Sequence, residues 1–215
     1  MTHVLVLNRY TDEFSDYQKY INHEQVQVSY IFAPGCDTLI DPSKSHLLLE
    51  VPEYTSQQEH IFQAAVELHR THPVDRLIAY SEFDMDIAAQ IRTELNIPGA
   101  DNTETALFRD KVKMKQALQG SGIPYPQFQK INHRAEALEQ VDSFARMQIE
   151  QFITGDILHI DGVIAQGNIP YFKASKYINN CLAFRLGSPL GSYTIDDEAT
   201  NKILQGLTLK ILQAL

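Results

Sequence analysis

Apolar residues in the first part of the chain fall into short runs and into helical spacing. Runs typical of buried strands cover residues 4–7, 26–32, 47–51 and 75–80. Residues 56–69 and 84–95 instead carry apolar side chains three or four positions apart, which is the spacing of one helix face. Because strands that alternate with helices form parallel sheets, we expect an α/β domain over residues 1–100.

The loop after the first strand limits what this Rossmann-like layer can bind. Dinucleotide sites of the usual kind need Gly-x-Gly-x-x-Gly at this position, so that the backbone can approach the pyrophosphate. This sequence has Asn8-Arg9-Tyr10 there. A dinucleotide site of that kind is therefore not supported.

A second domain is predicted over residues 101–215, with helices and an antiparallel sheet. Asp101 and Glu104 have capping-box spacing and predict a helix that runs to about residue 119, before Gly120 and Gly122. Gln166-Gly167-Asn168 predicts a hairpin turn. The other predicted elements are helices at 135–144 and 200–215 and strands at 148–152, 158–165 and 169–172.

Composition narrows the class of protein. The net charge of −9 argues against a broad nucleic-acid surface, which needs clustered Lys and Arg. No apolar run is long enough to span a bilayer, and no basic segment precedes the first apolar run as in a signal peptide. Cys36 and Cys181 lack metal-ligand spacing, and we favour two thiols over a disulfide. We expect a cytoplasmic protein without membrane or nucleic-acid partners.

Two stretches could contact a nucleotide. Lys111 lies in a basic cluster with Arg109 and Lys115, which is either a solvated helix surface or a phosphate contact. The stretch from Glu150 to Asp156 is either a strand followed by a turn or an exposed backbone edge for adenine, with a carboxylate for the ribose hydroxyls.

Two further pairs of polar residues have a structural and a chemical interpretation. Alternation along a strand puts His159 and Asp161 on one face, as a hydrogen-bonded pair or as part of a metal site that would need more ligands. Ser175 and Lys176 could form a nucleophile and a base, but adjacent strand residues point to opposite faces, which disfavours a hydrolase.

The order of these stretches resembles the ATP-grasp superfamily, in particular its carboxylate–amine ligases. The resemblance covers most of the chain, from a Rossmann-like preamble to a partial ATP-grasp α+β domain. The matching segments are Ser81-Glu82-Phe83-Asp84, residues 96–102, residues 108–115, Gly122-Ile123-Pro124-Tyr125-Pro126, residues 149–155, His159-Ile160-Asp161-Gly162, Ser175-Lys176-Tyr177 and Pro189-Leu190-Gly191-Ser192.

The resemblance implies roles for the residues that match. Lys111 is similar to the first ATP-phosphate lysine, and Asp156 stands near the acidic ribose contact. Lys176 lies beside Ser175 in the strand that often contacts phosphate or the acyl substrate. The predicted cofactor-binding residues are Lys111, the hinge residues Glu150, Gln151, Phe152 and Ile153, and Asp156, His159 and Lys176. The family also implies ATP with Mg²⁺.

The sequence departs from the family in two places. The second ATP lysine and its Gly/Ser-rich phosphate loop are missing between Arg146 and Met147. The metal-binding Glu and the Asn-x-Arg segment would follow Leu215. No metal ligand and no catalytic residue is therefore assigned, and we expect most of the rate of phosphoryl transfer to be lost.

Three functions stay open. The chain is an ATP-dependent carboxylate–amine ligase or a truncated form of one, acting through an acyl phosphate. Alternatively, it is a catalytically inactive ATP-grasp-derived binding or assembly module, for example a homodimer that buries incomplete sheet edges. A plain Rossmann-type small-molecule binder explains only residues 1–100.

Overall fold

The computed structural model describes residues 1–131 and 148–215. Its contacts group the chain into two compact units, Met1–Arg109 and Asp110–Leu215. The sequence placed a domain boundary at residues 100/101, and that assignment stays a prediction. The helix predicted at 135–144 and the junction of Arg146 with Met147 lie outside the described residues.

The first unit is built on a parallel sheet, as predicted. Its four strands lie in the order β3-β2-β1-β4, and every neighbouring pair is parallel. The strands are β1 (Thr2–Asn8), β2 (Val26–Phe32), β3 (Leu47–Glu50) and β4 (Arg76–Ala79), and the helices are α1 (Gln58–Thr71), α2 (Met85–Leu95) and α3 (Asn102–Arg109).

The core of this unit lies around β1. Every residue from His3 to Asn8 is buried, as expected for a central strand covered on both faces. The predicted apolar faces of the helices supply part of the cover, with Ile61, Ala65 and Leu68 on α1 and Ile87, Ala88 and Ile91 on α2. Buried residues of the connecting segments, such as Tyr17, Ile40 and Tyr54, belong to the same core. Burying each large aliphatic side chain contributes about 1.5–3 kcal/mol, so this packing holds the strand ends in place.

The helix predicted over residues 101–119 is wrong, because the chain forms two helices there. The capping box is confirmed: Asp101 Oδ1 accepts from the backbone N–H groups of Thr103 and Glu104, and Glu104 accepts from the N–H of Asp101. Asp110 then leaves the helical region, at φ −106° and ψ 106°, and caps α4 (Lys111–Ala117). A capping carboxylate offers the backbone an alternative to a continuous helix.

The second unit contains the predicted antiparallel strands, but the described residues divide them between two sheets, β5-β6 and β7-β8-β9, and not one. Three further elements, β5, α5 and β9, were not indicated by the pattern. The turn is confirmed: Gln166 (φ 52°) and Gly167 (φ 75°) form a two-residue hairpin connection between β7 and β8. The elements are β5 (Phe128–Lys130), β6 (Gln148–Glu150), β7 (Leu158–Ala165), β8 (Asn168–Tyr177), α5 (Cys181–Arg185), β9 (Ser192–Thr194) and α6 (Glu198–Ala214). In the described part of the chain, no helix is long and apolar enough to cross a bilayer.

A buried ion pair joins the end of β1 to the start of α2. Asp84 is fully buried and accepts hydrogen bonds from Arg9 Nε, at 3.0 Å, and from Arg9 Nη2. The Tyr54 hydroxyl also donates to Asp84, at 3.3 Å, and the guanidinium lies 5.4 Å from the ring centres of Tyr54 and Phe83. The hydrogen bond to Asp84 raises the pKa of Arg9, so the guanidinium stays charged.

Replacing Asp84 tests how much this pair stabilises the first unit. We expect Asp84→Asn to lower the free energy of unfolding by about 2–4 kcal/mol, because Arg9 loses the charged carboxylate that it contacts in a largely buried position. Urea unfolding followed by circular dichroism measures the change.

The matched control is Glu67→Gln, which breaks the exposed pair between Glu67 and Arg70 on α1. Exposed pairs contribute about 0–1 kcal/mol, so this variant should unfold close to wild type. Equal losses in the two variants would contradict a special role for the buried pair.

Candidate functional site

Lys111, the predicted phosphate lysine, begins α4. It directly follows the N-cap Asp110, whose carboxylate accepts from the backbone N–H groups of Val112 and Lys113. Its side chain is exposed, whereas Lys115, one turn later, is only 9% exposed. The structure therefore divides the lysines of this cluster: Lys111 and Lys113 face solvent, and Lys115 turns inward.

Lys115 turns inward because it is paired with the predicted hinge. Its Nζ forms an ion pair with Glu150 Oε2 and lies 5.5 Å from the centre of the Phe128 ring. Gln148 Nε2 also donates to that carboxylate oxygen, at 2.9 Å. Sequence spacing gave no reason to choose Lys115 among the neighbouring lysines, and it was not predicted as a site residue.

The predicted hinge has one backbone edge that pairs with β5 and one that faces away from it. β5 and β6 are antiparallel, and the Gln151 N–H donates to Gln127 O at 2.8 Å. Since successive residues of such a ladder point their backbone groups in opposite directions, those of Glu150 and Phe152 face away from β5. Within the described residues this sheet has only these two strands, so that outer edge has no strand partner there. Phe152 and Ile153 follow as exposed apolar side chains.

Asp156 and Lys176, two of the predicted residues, are brought together. Lys176 Nζ lies 2.5 Å from Asp156 Oδ2, and this hydrogen bond raises the pKa of Lys176. Both side chains line a crevice of about 550 Å³. Its other lining residues are Leu158, Tyr193, Thr194, Ile195, Asp196, Asp197 and Thr200.

His159 lies on the other face of the same sheet. β7 pairs with β8 so that Leu158 is opposite Lys176 and His159 is opposite Ser175. Because side chains alternate along a strand, His159 and Lys176 point to opposite faces. As predicted, His159 and Asp161 share a face, with 3.4 Å between His159 Nε2 and Asp161 Oδ2. The structure therefore does not bring His159 to the crevice.

Metal ligands were not predicted. Among residues 1–131 and 148–215, no group of three or more His, Cys, Asp or Glu side chains could hold a metal ion.

The sequence reasoning also missed the acidic residues of the crevice. Asp196 and Asp197 line it, and Asp197 caps α6 by accepting from the backbone N–H of Thr200 at 2.7 Å. An Asp directly before a helical apolar pattern is a capping signal that could have located this helix start.

The comparisons with known proteins rest on structure. No protein-family model matches the sequence, and no curated protein matches it. The L-amino acid ligase from Bacillus licheniformis superposes on the whole chain with a TM-score of 0.73 and 16% identity, and 60% of that protein is covered. Phosphoribosylglycinamide synthetase from Anaerococcus prevotii (TM-score 0.66, 11% identity) and a biotin carboxylase–βγ-ATP complex from Campylobacter jejuni (TM-score 0.66, 14% identity) are similar over 99% of the chain.

The chain has a partial ATP-grasp fold. It spans about 60% of the length of these three proteins, whose covered shares are 60%, 61% and 59%. The fold class predicted from the order of its motifs is thereby confirmed. At such low identity the likeness concerns the ATP-grasp fold alone, and the roles of Lys111, the hinge, Asp156, His159 and Lys176 stay predictions.

Removing the hinge carboxylate tests the link between α4 and β6. We expect Glu150→Gln to lower the free energy of unfolding of the second unit by about 1–2 kcal/mol, since it leaves Lys115 largely buried without its counter-ion. The expected loss is below that of a fully buried pair because the Glu150 side chain is 47% exposed.

Asp156→Asn is the matched control, because Asp156 belongs to an ion pair whose side chains are 67% and 31% exposed. Its cost should stay within about 1 kcal/mol. Chemical unfolding of both variants gives the comparison, and a larger loss in Asp156→Asn would refute the assignment of Lys115 as the more strongly held lysine.

Proposed function

We propose that this chain is the nucleotide-binding part of an ATP-dependent carboxylate–amine ligase. In this reaction ATP supplies the phosphoryl group that converts a carboxylate into an acyl phosphate, which an amine then attacks. The partial ATP-grasp fold, shared with an L-amino acid ligase and a phosphoribosylglycinamide synthetase, supports the proposal. A cytoplasmic location and small-molecule carboxylate and amine partners belong to the same proposal.

The proposal mainly depends on the outer edge of β6, which has no strand partner among residues 1–131 and 148–215. An adenine ring offers a donor and an acceptor along one edge, and an outward backbone N–H and C=O pair is complementary to them. Glu150 and Phe152 direct such groups away from β5. The ion pair of Glu150 with Lys115 holds this backbone against α4, so the edge is formed before a ligand arrives.

The remaining residues suit the polar parts of a nucleotide. Asp156 uses Oδ2 for Lys176, which fixes the carboxylate and leaves Oδ1 to accept from ribose hydroxyls. Lys111 is an exposed ammonium at the start of α4 and suits a phosphate. Lys176 and His159 lie on opposite faces of the sheet. A ligand bound to Lys176 can therefore reach His159 only if part of it extends around the edge of the sheet.

Magnesium fits the described residues less well than the nucleotide does. Because they contain no cluster of candidate metal ligands, we derive no role for Mg²⁺ in residues 1–131 and 148–215.

Lys111→Ala tests the nucleotide site. Removing an ammonium that contacts phosphate should weaken ATP binding about 10-fold or more, since hydrogen bonds to charged groups contribute about 1.5–3 kcal/mol. Isothermal titration calorimetry with ATP, with and without Mg²⁺, measures the dissociation constant.

Lys113→Ala is the matched control, because Lys113 is also an exposed lysine in the first turn of α4. It should change affinity by less than about threefold through long-range charge alone. Absence of ATP binding by the wild-type chain, or equal effects of the two substitutions, would overturn the assignment.

A second candidate function is a catalytically inactive binding or assembly module. The exposed apolar side chains of the second unit favour it, including Leu182 (66%), Leu186 (79%) and Ile203 (71%). Apolar surface of this kind often marks an interface.

Release of ADP across a panel of amino acids separates the two candidate functions, because amine-dependent turnover excludes an inactive module. Sedimentation velocity tests the homodimer separately, and a monomer at all concentrations would exclude it.

A further inference from the structure

The carboxyl ends of β1 and β4 are neighbours at the point of the first unit's sheet where the order of strands reverses direction. β1 leads to β2 on one side, while β4 pairs with its other side. Ligands of open α/β sheets bind at such switch points, outside the carboxyl ends of the strands. A crevice of about 860 Å³ opens here, with Tyr10 soon after β1 and Tyr80 directly after β4 on its wall.

Tyrosine rings form most of this wall. The rings of Tyr17 and Tyr80 are stacked, with centroids 5.9 Å apart and 8° between their planes. Tyr17 is buried, and its hydroxyl donates to Asn8 Oδ1 at 3.3 Å, which fixes the inner ring. Tyr20 and Tyr80 are 79% and 70% exposed, so their rings are accessible to a ligand.

The charges around the crevice favour a cation. Asp12 and Glu13 contribute carboxylates to the wall. Lys19 also lines the crevice, but its Nζ lies 3.0 Å from Asp16 Oδ2, and the nearby Arg9 is bonded to Asp84. Among the described residues, a phosphate in this crevice would therefore meet two carboxylates and one lysine that already has a counter-charge. Burial raises the pKa of Tyr17, so its phenol stays neutral at physiological pH.

We propose that this crevice binds an organic ammonium ion, with the cation against the tyrosine rings and the carboxylates of Asp12 and Glu13 balancing its charge. Aromatic faces attract ammonium groups through the ring quadrupole, and tyrosine walls recognise quaternary ammonium ligands in this way. Every residue of the site lies in the first unit, so this binding does not depend on the nucleotide site proposed for the second.

Choline and its neutral isostere 3,3-dimethyl-1-butanol test the charge requirement on the full chain. The two have nearly the same shape, so a purely apolar crevice would bind them equally. We expect choline to bind about 3- to 30-fold more tightly than the neutral isostere. This range corresponds to cation–π energies from exposed to desolvated positions. Calorimetry and saturation-transfer NMR of the methyl protons measure both ligands, and inorganic phosphate should not displace choline.

Two variants and one control locate the site. Tyr80→Leu and Glu13→Gln should each weaken choline binding about 3- to 30-fold, because one removes a ring face and the other a carboxylate. Tyr171→Leu, at an exposed tyrosine in the second unit, should leave it unchanged. Circular dichroism checks that each variant is folded. If Tyr80→Leu is misfolded, the affinities of Glu13→Gln for choline and of the wild-type chain for the isostere test the site instead.

Three outcomes would overturn the proposal: no choline binding by the wild-type chain, equal affinity for the neutral isostere, or equal effects of the crevice and control substitutions. Because ATP affinity is measured separately, a failure here is distinguishable from a failure of the nucleotide site.

Discussion

β1 hydrogen-bonds to β2 along one edge and to β4 along the other, and this central position determines which loops of the first unit meet. Its residues from His3 to Asn8 are buried, so a ligand can reach this strand only at its ends. Both the pair of Arg9 with Asp84 and the tyrosine crevice lie where β1 and β4 end. The binding site proposed for this unit therefore lies at the carboxyl edge of the sheet.

The buried pair affects the crevice because Asp84 engages the charge of Arg9 that an anionic ligand would otherwise use. Arg9 directly follows β1, where a cation would otherwise be available to an anionic ligand. Asp84 holds it with two hydrogen bonds from the guanidinium, and the rings of Tyr54 and Phe83 lie beside it. The sequence did not support a dinucleotide site of the usual kind because the glycines of its motif are missing, and in the structure Arg9 is bonded to Asp84. The two observations together direct the expected ligand away from phosphate.

Patterns with a direct physical cause were predictable from the sequence. The parallel sheet followed from apolar runs separated by helical periodicity, the capping box from Asp101 and Glu104, and the hairpin turn from Gln166-Gly167. Short elements such as β5 and β9 were missed because three residues carry too little periodicity to be recognised. The continuous helix at 101–119 was wrong because periodicity does not show that Asp110 bonds to the backbone ahead of it.

The candidate site was harder to predict because contacts between residues far apart in the sequence determine which of its side chains meet. Lys115 and Glu150 are 35 residues apart, and spacing along α4 cannot show which lysine meets the hinge. The register of β7 with β8 likewise determines that Lys176 faces the crevice with Asp156 while His159 faces the other side. A shift of one residue in that register would reverse both faces. Among the described residues, the proposed nucleotide site therefore combines a polar crevice with a backbone edge, and its contacts with Asp156 and Lys176 lie on the face of the sheet opposite His159.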